Sequence, residues 1–184
     1  EALVKKKAAA SKKPKPTGLA GKLADALARQ TATAEILKVI ASSPSDVQPV
    51  FDTIARNAVA LFGCLYANVF RFDGELLHWV ASHGRAKGFK SPMAKKYPMR
   101  PDLSQLSGRA MLAKSLVCIE DTLSDPDYDH ELRAGAARRM LSAPMLRDAN
   151  PVGAIVVGWA EPGKIPLVQQ ELLQTFADQA VIAI

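Results

Sequence analysis

The stretch Leu65-Tyr66-Ala67-Asn68-Val69-Phe70-Arg71-Phe72-Asp73-Gly74-Glu75-Leu76-Leu77-His78-Trp79-Val80-Ala81-Ser82 decides the fold. Two runs, Leu65 to Phe72 and Glu75 to Ser82, flank Asp73-Gly74, and that dipeptide between strand-like runs predicts a β-hairpin. Alternation sets Tyr66, Asn68, Phe70 and Phe72 on one face and Ala67, Val69 and Arg71 on the other. The sheet is therefore antiparallel at this point.

Upstream, apolar spacing predicts two helices. The first runs from Gly18 to about Ala41, with Leu19, Leu23, Leu27, Ala34, Leu37 and Ile40 on one side and Lys22, Arg29, Glu35 and Lys38 on the other. Such a stripe serves either core packing or a two-stranded coiled-coil seam. Ser42-Ser43-Pro44 ends it. The second helix takes Ser45 or Asp46 as N-cap, presents Val47, Val50, Phe51, Ile54, Ala55, Ala58, Leu61 and Phe62, and closes at Gly63 as a left-handed C-cap.

Downstream, His83 to Leu103 carries Gly84, Gly88, Pro92, Pro98 and Pro101 without a sustained period and reads as a long loop, the kind that usually forms a lid or binding segment. A short helix over Ser104–Ala113 and a strand over Leu116–Ile119 follow. An acidic, turn-rich loop then leads to a short helix around Glu131–Ala137. Two strands, Met140–Leu146 and Val152–Ala160, flank Arg147-Asp148-Ala149-Asn150 as a second hairpin. The later strand is apolar on both faces and should be central. Pro162-Gly163 breaks it, and a final helix from Pro166 presents Leu172, Leu173, Phe176, Ala180, Val181 and Ile184.

The 184 residues, 48% of them hydrophobic and 23% charged, suit one domain with a real core. The chain begins without a signal-like segment and stops inside a helical pattern, so both ends read as cuts from a longer protein. No apolar run approaches the ~18 residues of a membrane span. Cys64 and Cys118 lie in apolar surroundings without ligand spacing, which argues against a disulfide framework or zinc and for a reducing cytoplasm.

The net charge of +6 invites a nucleic-acid reading that its distribution removes. Six lysines against Glu1 give residues 1–16 a net +5, and the remaining residues carry 18 bases and 17 acids. Residues 1–17 read as a flexible Lys/Ala/Pro-rich linker with no aromatic interleaving for nucleic acid. Two loops are charged oppositely: Arg85, Lys87, Lys90, Lys95, Lys96 and Arg100 lie in a segment without acids, and Glu120, Asp121, Asp125, Asp127, Asp129 and Glu131 in one without bases. Two solvated loops are the simpler expectation and a clasp across a pocket mouth the alternative.

Enzyme templates fail: no P-loop, dinucleotide glycine motif, His-Glu-x-x-His or Gly-x-Ser-x-Gly is present. His78, His83 and His130 lack a nucleophile at recognisable spacing. Asp125, Asp127 and Asp129 imitate the start of a calcium loop, but His130 stands at the turn-glycine position and Ala136 at the bidentate-glutamate position, so no metal is expected. Cys64 and Cys118 read as small buried side chains rather than chromophore attachment points.

The order of elements predicts an α+β fold: a central antiparallel sheet of five to six strands, N- and C-terminal helices on one face, and loops and short helices covering a pocket on the other. Several segments then resemble the GAF domains of bacterial sensor histidine kinases and related multidomain signalling proteins. They are Arg29 to Leu37 running into Ser43 to Phe51, Phe70-Arg71-Phe72-Asp73-Gly74-Glu75-Leu76-Leu77-His78, Gly108-Arg109-Ala110, Ile119-Glu120-Asp121, Asp125-Pro126-Asp127-Tyr128, Ala143 to Arg147 with Val152 to Ile155, and Thr175 to Ala180. No single motif is specific, but their order and spacing together are. Two features depart from family habit: the lysine-rich Arg85–Met99 loop, and Asp148-Ala149-Asn150 in place of a glycine-containing turn.

The resemblance implies a linker over 1–17, a connecting helix over 18–43 and a GAF domain over 44–184 that ends in a truncated signalling helix. It implies a non-catalytic cytoplasmic sensory module in a two-component or related pathway. Such a module homodimerises through its end helices and passes a signal to a linked output such as a histidine kinase, whose catalytic core this chain lacks. The expected pocket wall is Phe70, Trp79, Asp121, Tyr128, Met140, Ser142 and Pro144, with Arg85, Lys87, Arg109, Asp125 and Asp127 at its mouth. An empty, filled-in core is the alternative to a small-molecule ligand. Arg85, Lys87 and Arg109 would supply phosphate contacts to a cyclic nucleotide, no covalent bilin is expected, and no nucleic acid or membrane contact is expected of this chain. The competing functions are a GAF-fold methionine sulfoxide reductase and a ligand-free structural spacer.

Overall fold

The computed structural model describes residues 18–42, 46–84, 90–129 and 137–183. Among these described residues five helices and five strands occur in the order α1 (Leu19–Ser42), α2 (Gln48–Phe62), β1 (Tyr66–Phe72), β2 (Leu77–Gly84), α3 (Lys90–Lys96), α4 (Leu106–Ala113), β3 (Val117–Ile119), β4 (Arg139–Arg147), β5 (Asn150–Trp159) and α5 (Leu167–Ala183). The strands form one sheet in the order β2-β1-β5-β4-β3, and every pairing is antiparallel. The apolar β5 is central, as its two-sided hydrophobicity requires.

Strand alternation splits the core into two layers. Ala67 and Val69 of β1, Leu141, Ala143 and Met145 of β4, and Ile155 and Val157 of β5 pack against Ile54 and Ala58 of α2, Leu173 and Phe176 of α5, and Ala32 and Ile36 of α1. The alternate residues Tyr66, Phe70, Met140, Ala154 and Val156 face Met93, Tyr97, Leu106, Met111 and Tyr128. Helices from both chain ends therefore lie on one face and the short helices with their loops on the other.

Both hairpins form, with different turns. Asp73-Gly74 sits in a four-residue loop, in which Asp73 Oδ1 accepts the amides of Glu75 and Leu76 and the Asp73 N–H donates to the Leu76 carbonyl at 3.2 Å. Those amides hold the Asp73 carboxyl far below its usual range. The second hairpin is a two-residue turn, Arg147 pairing with Asn150, with Asp148 at φ 50° and Ala149 at φ 61°. Left-handed alanine costs about 1–2 kcal/mol, part of which glycine returns as chain entropy. Ala149→Gly is therefore expected to raise stability by roughly 0.5–1 kcal/mol, read as a melting temperature about 2 °C higher.

Of the two uses open to the α1 stripe, core packing is not the one its described members take: Leu23 and Leu27 are 60% and 53% exposed and Ala34 is exposed, while Ala32 and Ile36 are buried. At 100° per residue Ile36 stands about 180° round the helix from Leu27. Asn57 on α2 fixes that rotation by donating from Nδ2 to Glu35 Oε2 at 3.0 Å and to the Ala32 carbonyl at 3.5 Å. The side chains of Leu19, Leu37 and Ile40 lie outside the described residues.

At the start of α2 the cap position is Val47, not Asp46, and no side chain caps it; Asp46 Oδ1 instead accepts the Gln48 amide at 3.0 Å, and a proline stands in the first turn. Ser45 lies outside the described residues. The segment read as one long loop contains the end of β2 and the helix α3, whose Pro92 falls in the first turn, where a missing amide is tolerated. Seven residues are too few for a period to register. Finally, Cys64 is buried but Cys118 is exposed, because β3 is an edge strand. The linker 1–17, residues 131–136 of the helix expected around Glu131–Ala137, and Arg85, Lys87 and His130 lie outside the described residues, while Ala137 is buried and not helical.

Candidate functional site

A cavity of about 20 Å³ lies between the sheet and the short helices, lined by Tyr66, Asn68, Phe70, Met93, Tyr97, Gln105, Leu106, Ser107, Tyr128, Met140 and Val156. Its floor is the alternate face of β1, β4 and β5. Its roof is α3, which brings Met93 and Tyr97 down, and the start of α4, which brings Gln105, Leu106 and Ser107. The Phe70 and Tyr97 rings meet at 4.8 Å between centroids, tilted by 39°. A volume of this size holds about one water molecule.

Phe70, Tyr128 and Met140 line the cavity and the other expected wall residues do not. Ser142 and Pro144 share the Met140 face of β4, and Ser142 is fully buried with its hydroxyl unpaired among the described residues. Trp79 is half-buried, donates from Nε1 to Asn68 Oδ1 at 3.2 Å, and lines a separate groove of about 260 Å³ with Asp52, Val80, Ala81 and Ser82. Asp121 accepts a bidentate pair from Arg138, Nε to Oδ1 at 2.7 Å and Nη2 to Oδ2 at 2.6 Å. Tyr66 and Asn68 were legible as wall residues, since alternation set them on the Phe70 face. Met93 and Tyr97 were hidden with the unrecognised α3, and nothing in the local pattern of Gln105 and Ser107 marks them.

Ion pairs surround the roof. Lys96 Nζ lies 2.7 Å from Asp129 Oδ2, so the basic and acidic segments do meet at one point, whereas Arg100 pairs with Glu75 on the hairpin loop. Arg109 on α4 grips Asp125 through Nη1–Oδ2 at 2.5 Å and Nη2–Oδ1 at 2.9 Å, with both side chains less than a fifth exposed. The guanidinium hydrogen bond lowers the Asp125 carboxyl from its usual range and raises the Arg109 value. Asp127 donates its amide to Asp125 Oδ1, and its side chain is exposed.

The Asp125 shift has a definite pH signature. A carboxyl depressed in the folded state contributes its full stability above the unfolded value near 4 and loses it as pH falls through the lower folded value. Asp125→Asn leaves a half-sheltered guanidinium without its charge partner and is expected to cost about 1–2 kcal/mol at pH 7. Denaturant titrations of both proteins should show that gap closing below about pH 4.

The thiols are not at this cavity. Cys64 belongs to the layer under α1, α2 and α5, where burial pushes its thiol up to about 12. Cys118 stands opposite Leu141, which faces that same layer, and burial followed by the Glu120 charge raises it. No cluster of His, Cys, Asp and Glu among the described residues could hold a metal, and no described helix is long and apolar enough to cross a membrane.

Terminal helices on one face of an antiparallel sheet and a roofed cavity on the other define a domain of the sensory and regulatory kind. The chain belongs to the GAF domain family, whose model matches residues 44–184. No curated protein matches it. Among solved structures it is similar to the GAF domain of a phosphoenolpyruvate-protein phosphotransferase from Coxiella burnetii, with TM-score 0.71 and 14% identity over 86% of this chain and 93% of that one. It is similar to free methionine-R-sulfoxide reductase from Neisseria meningitidis in complex with its substrate, with TM-score 0.68 and 16% identity over 87% and 89%. It is also similar to a putative GAF sensor protein from Burkholderia vietnamiensis, with TM-score 0.68 and 14% identity over 85% and 93%. At these identities the likeness is one of fold.

Proposed function

We propose that this chain is a non-catalytic, cytoplasmic sensory module of a signalling protein, which homodimerises through α1 and α5 and passes a ligand-dependent bias to a linked output such as a histidine kinase. The observation that carries the non-catalytic reading is the division of chemistry across the sheet. The cavity lining has no thiol and no described carboxylate, lysine, arginine or histidine, so its hydroxyls have no general base beside them in the lining and it offers no thiol redox couple. Both cysteines belong to the opposite side, and both have raised pKa values, which withholds the thiolate that sulfoxide reduction needs.

Association is supported by the rotation of α1. With Ala32 and Ile36 turned to the core, Leu23 and Leu27 form an exposed row one turn apart, and α5 adds an exposed Ile182 near its end. α5 also rests on the inner face of β4, whose other face carries Met140 into the cavity, so one strand touches both the cavity and the helix that leads out.

The structural likeness to a methionine sulfoxide reductase makes that activity the second reading. Incubating the chain with free methionine-R-sulfoxide and a dithiol reductant tests it. Turnover at the no-protein background is expected. Turnover abolished by Cys118→Ser or Cys64→Ser would replace the regulatory reading with the enzymatic one.

A further inference from the structure

β2 ends the strand order, so its outer side pairs with no other named strand of the described residues. The opposite edge, β3, is three residues long, whereas β2 has eight, Leu77 to Gly84, with no lysine, arginine, aspartate, glutamate or proline among them. Charges and prolines are the usual means by which a sheet blunts an open edge. The chain itself shows that this edge accepts another strand: Leu77 and Met99 exchange both backbone hydrogen bonds, at 2.7 and 3.1 Å, as an antiparallel bridge. The bridge goes no further, because by Tyr97 the segment is already in the last turn of α3, the Tyr97 N–H donating to the Met93 carbonyl at 2.9 Å.

The groove of about 260 Å³ opens where that bridge stops, along Trp79, Val80, Ala81 and Ser82, with Asp52 of α2 beside them. Asp52 is exposed and is the one charged residue of the described lining; its Oδ1 accepts Gln48 Nε2 at 3.2 Å, and it has no ion pair among the described residues. Trp79 donates its indole N–H to Asn68, so its contribution to the lining is apolar and aromatic. A carboxylate beside an aromatic ring suits an ammonium or guanidinium group. Val80 is the extra residue of a bulge between the pairs Val69–Ala81 and Phe70–Trp79. Its carbonyl already accepts an amide N–H, that of Gln48 at 2.8 Å, and a peptide N–H is a donor of the same kind.

We propose that the outer edge of β2 is a docking site for an extended peptide segment of a partner protein, which adds a strand beyond the Leu77–Met99 bridge and sets a lysine or arginine beside Asp52 and Trp79. The backbone ladder supplies binding that any extended sequence could make, and the Asp52 carboxylate selects the basic side chain. An acidic side chain in the same place meets a like charge, so the selection works by repulsion as well as attraction.

Four probes titrated into the whole chain test this, with the backbone amide shifts of Trp79 to Ser82 as the readout: acetyl-Thr-Val-Lys-Val-Thr-amide, the same peptide with glutamate at its centre, the lysine peptide with every backbone amide N-methylated, and n-butylammonium. The lysine peptide is expected to bind with a dissociation constant on the order of 1 mM or tighter. The glutamate peptide should bind at least about threefold more weakly, and the methylated peptide and the free cation at least about tenfold more weakly, since both lack the ladder. Asp52 is exposed, so Asp52→Asn should keep the fold while weakening the lysine peptide about two- to fivefold and leaving the glutamate peptide no weaker. Equal binding of the lysine and glutamate peptides, an Asp52→Asn variant that binds both as the unsubstituted chain does, or no shift at Trp79 to Ser82 well above the millimolar range would overturn the proposal. Butylammonium binding as tightly as the peptide would make the groove a small-cation pocket, and self-association reversed by the peptide would give the edge to a second copy; either result also overturns it. Association through α1 and α5 is read separately, by sedimentation, so each proposal can fail without the other.

Discussion

Gly153→Ala is expected to lower stability by about 3 kcal/mol and the melting temperature by about 6–12 °C. Gly153 lies on the central strand β5, between Arg71 of β1 and Met145 of β4. A Cβ built there falls 2.2 Å from the Phe70 carbonyl oxygen and 2.2 Å from the Met145 methyl carbon. The methionine end can swing aside, but the carbonyl oxygen belongs to a paired strand and can move only if β1 and β5 separate. The added methyl thus acts where Phe70 forms the cavity floor. Thermal unfolding followed by circular dichroism checks the shift, and a loss below about 1 kcal/mol would mean that the strands have more slack than this packing allows.

Phe176→Ala is expected to cost about 3–5 kcal/mol, out of a total stability of about 5–15. Phe176 is fully buried on α5 and meets the Phe62 ring edge-on at 6.3 Å, while Phe62 in turn meets Trp159 at 6.4 Å. The Trp159 indole N–H donates to the Phe62 carbonyl at 3.1 Å, so the aromatic chain joins α5, the end of α2 and the end of β5. Removing the Phe176 ring, at one end of this chain, leaves a cavity that the neighbouring elements must close around. Urea unfolding should show a lower midpoint with an unchanged slope. A changed slope would show instead that α5 had come away from the sheet in the native state.

The sheet and its two-sided core were legible because period-2 alternation does not depend on distant contacts: Tyr66, Asn68 and Phe70 had to share a face once the strand existed. The same holds for α2, whose apolar residues have one consistent direction. The rotation of α1 was not legible. Its leucines form the more hydrophobic row, yet Ala32 and Ile36 face inward, and Asn57 ties that rotation to Glu35 and the Ala32 carbonyl. That choice depends on a tertiary hydrogen bond 22 and 25 residues away.

For the site, the sequence carried the residue classes but not the volume. Phe70, Tyr128 and Met140 line the cavity, while Asp121 is paired with Arg138 and Trp79 lines another groove. Whether apolar walls meet or stand apart depends on α3, a helix too short to have a period. The charged segments show the same limit. Opposite runs made a clasp conceivable, but only the folded loops determine that Lys96 reaches Asp129 while Arg100 goes to Glu75.

The proposed sensory function depends most on the proposed association of two copies through the end helices. Sedimentation equilibrium of the chain and of Leu23→Glu/Leu27→Glu, across the micromolar range, tests this directly. Both leucines are exposed, so the double variant should keep the monomer fold and its circular dichroism spectrum. The account predicts a dimer for the unsubstituted chain and a monomer for the variant. A strict monomer for the unsubstituted chain, or a dimer of equal strength in the variant, would contradict it.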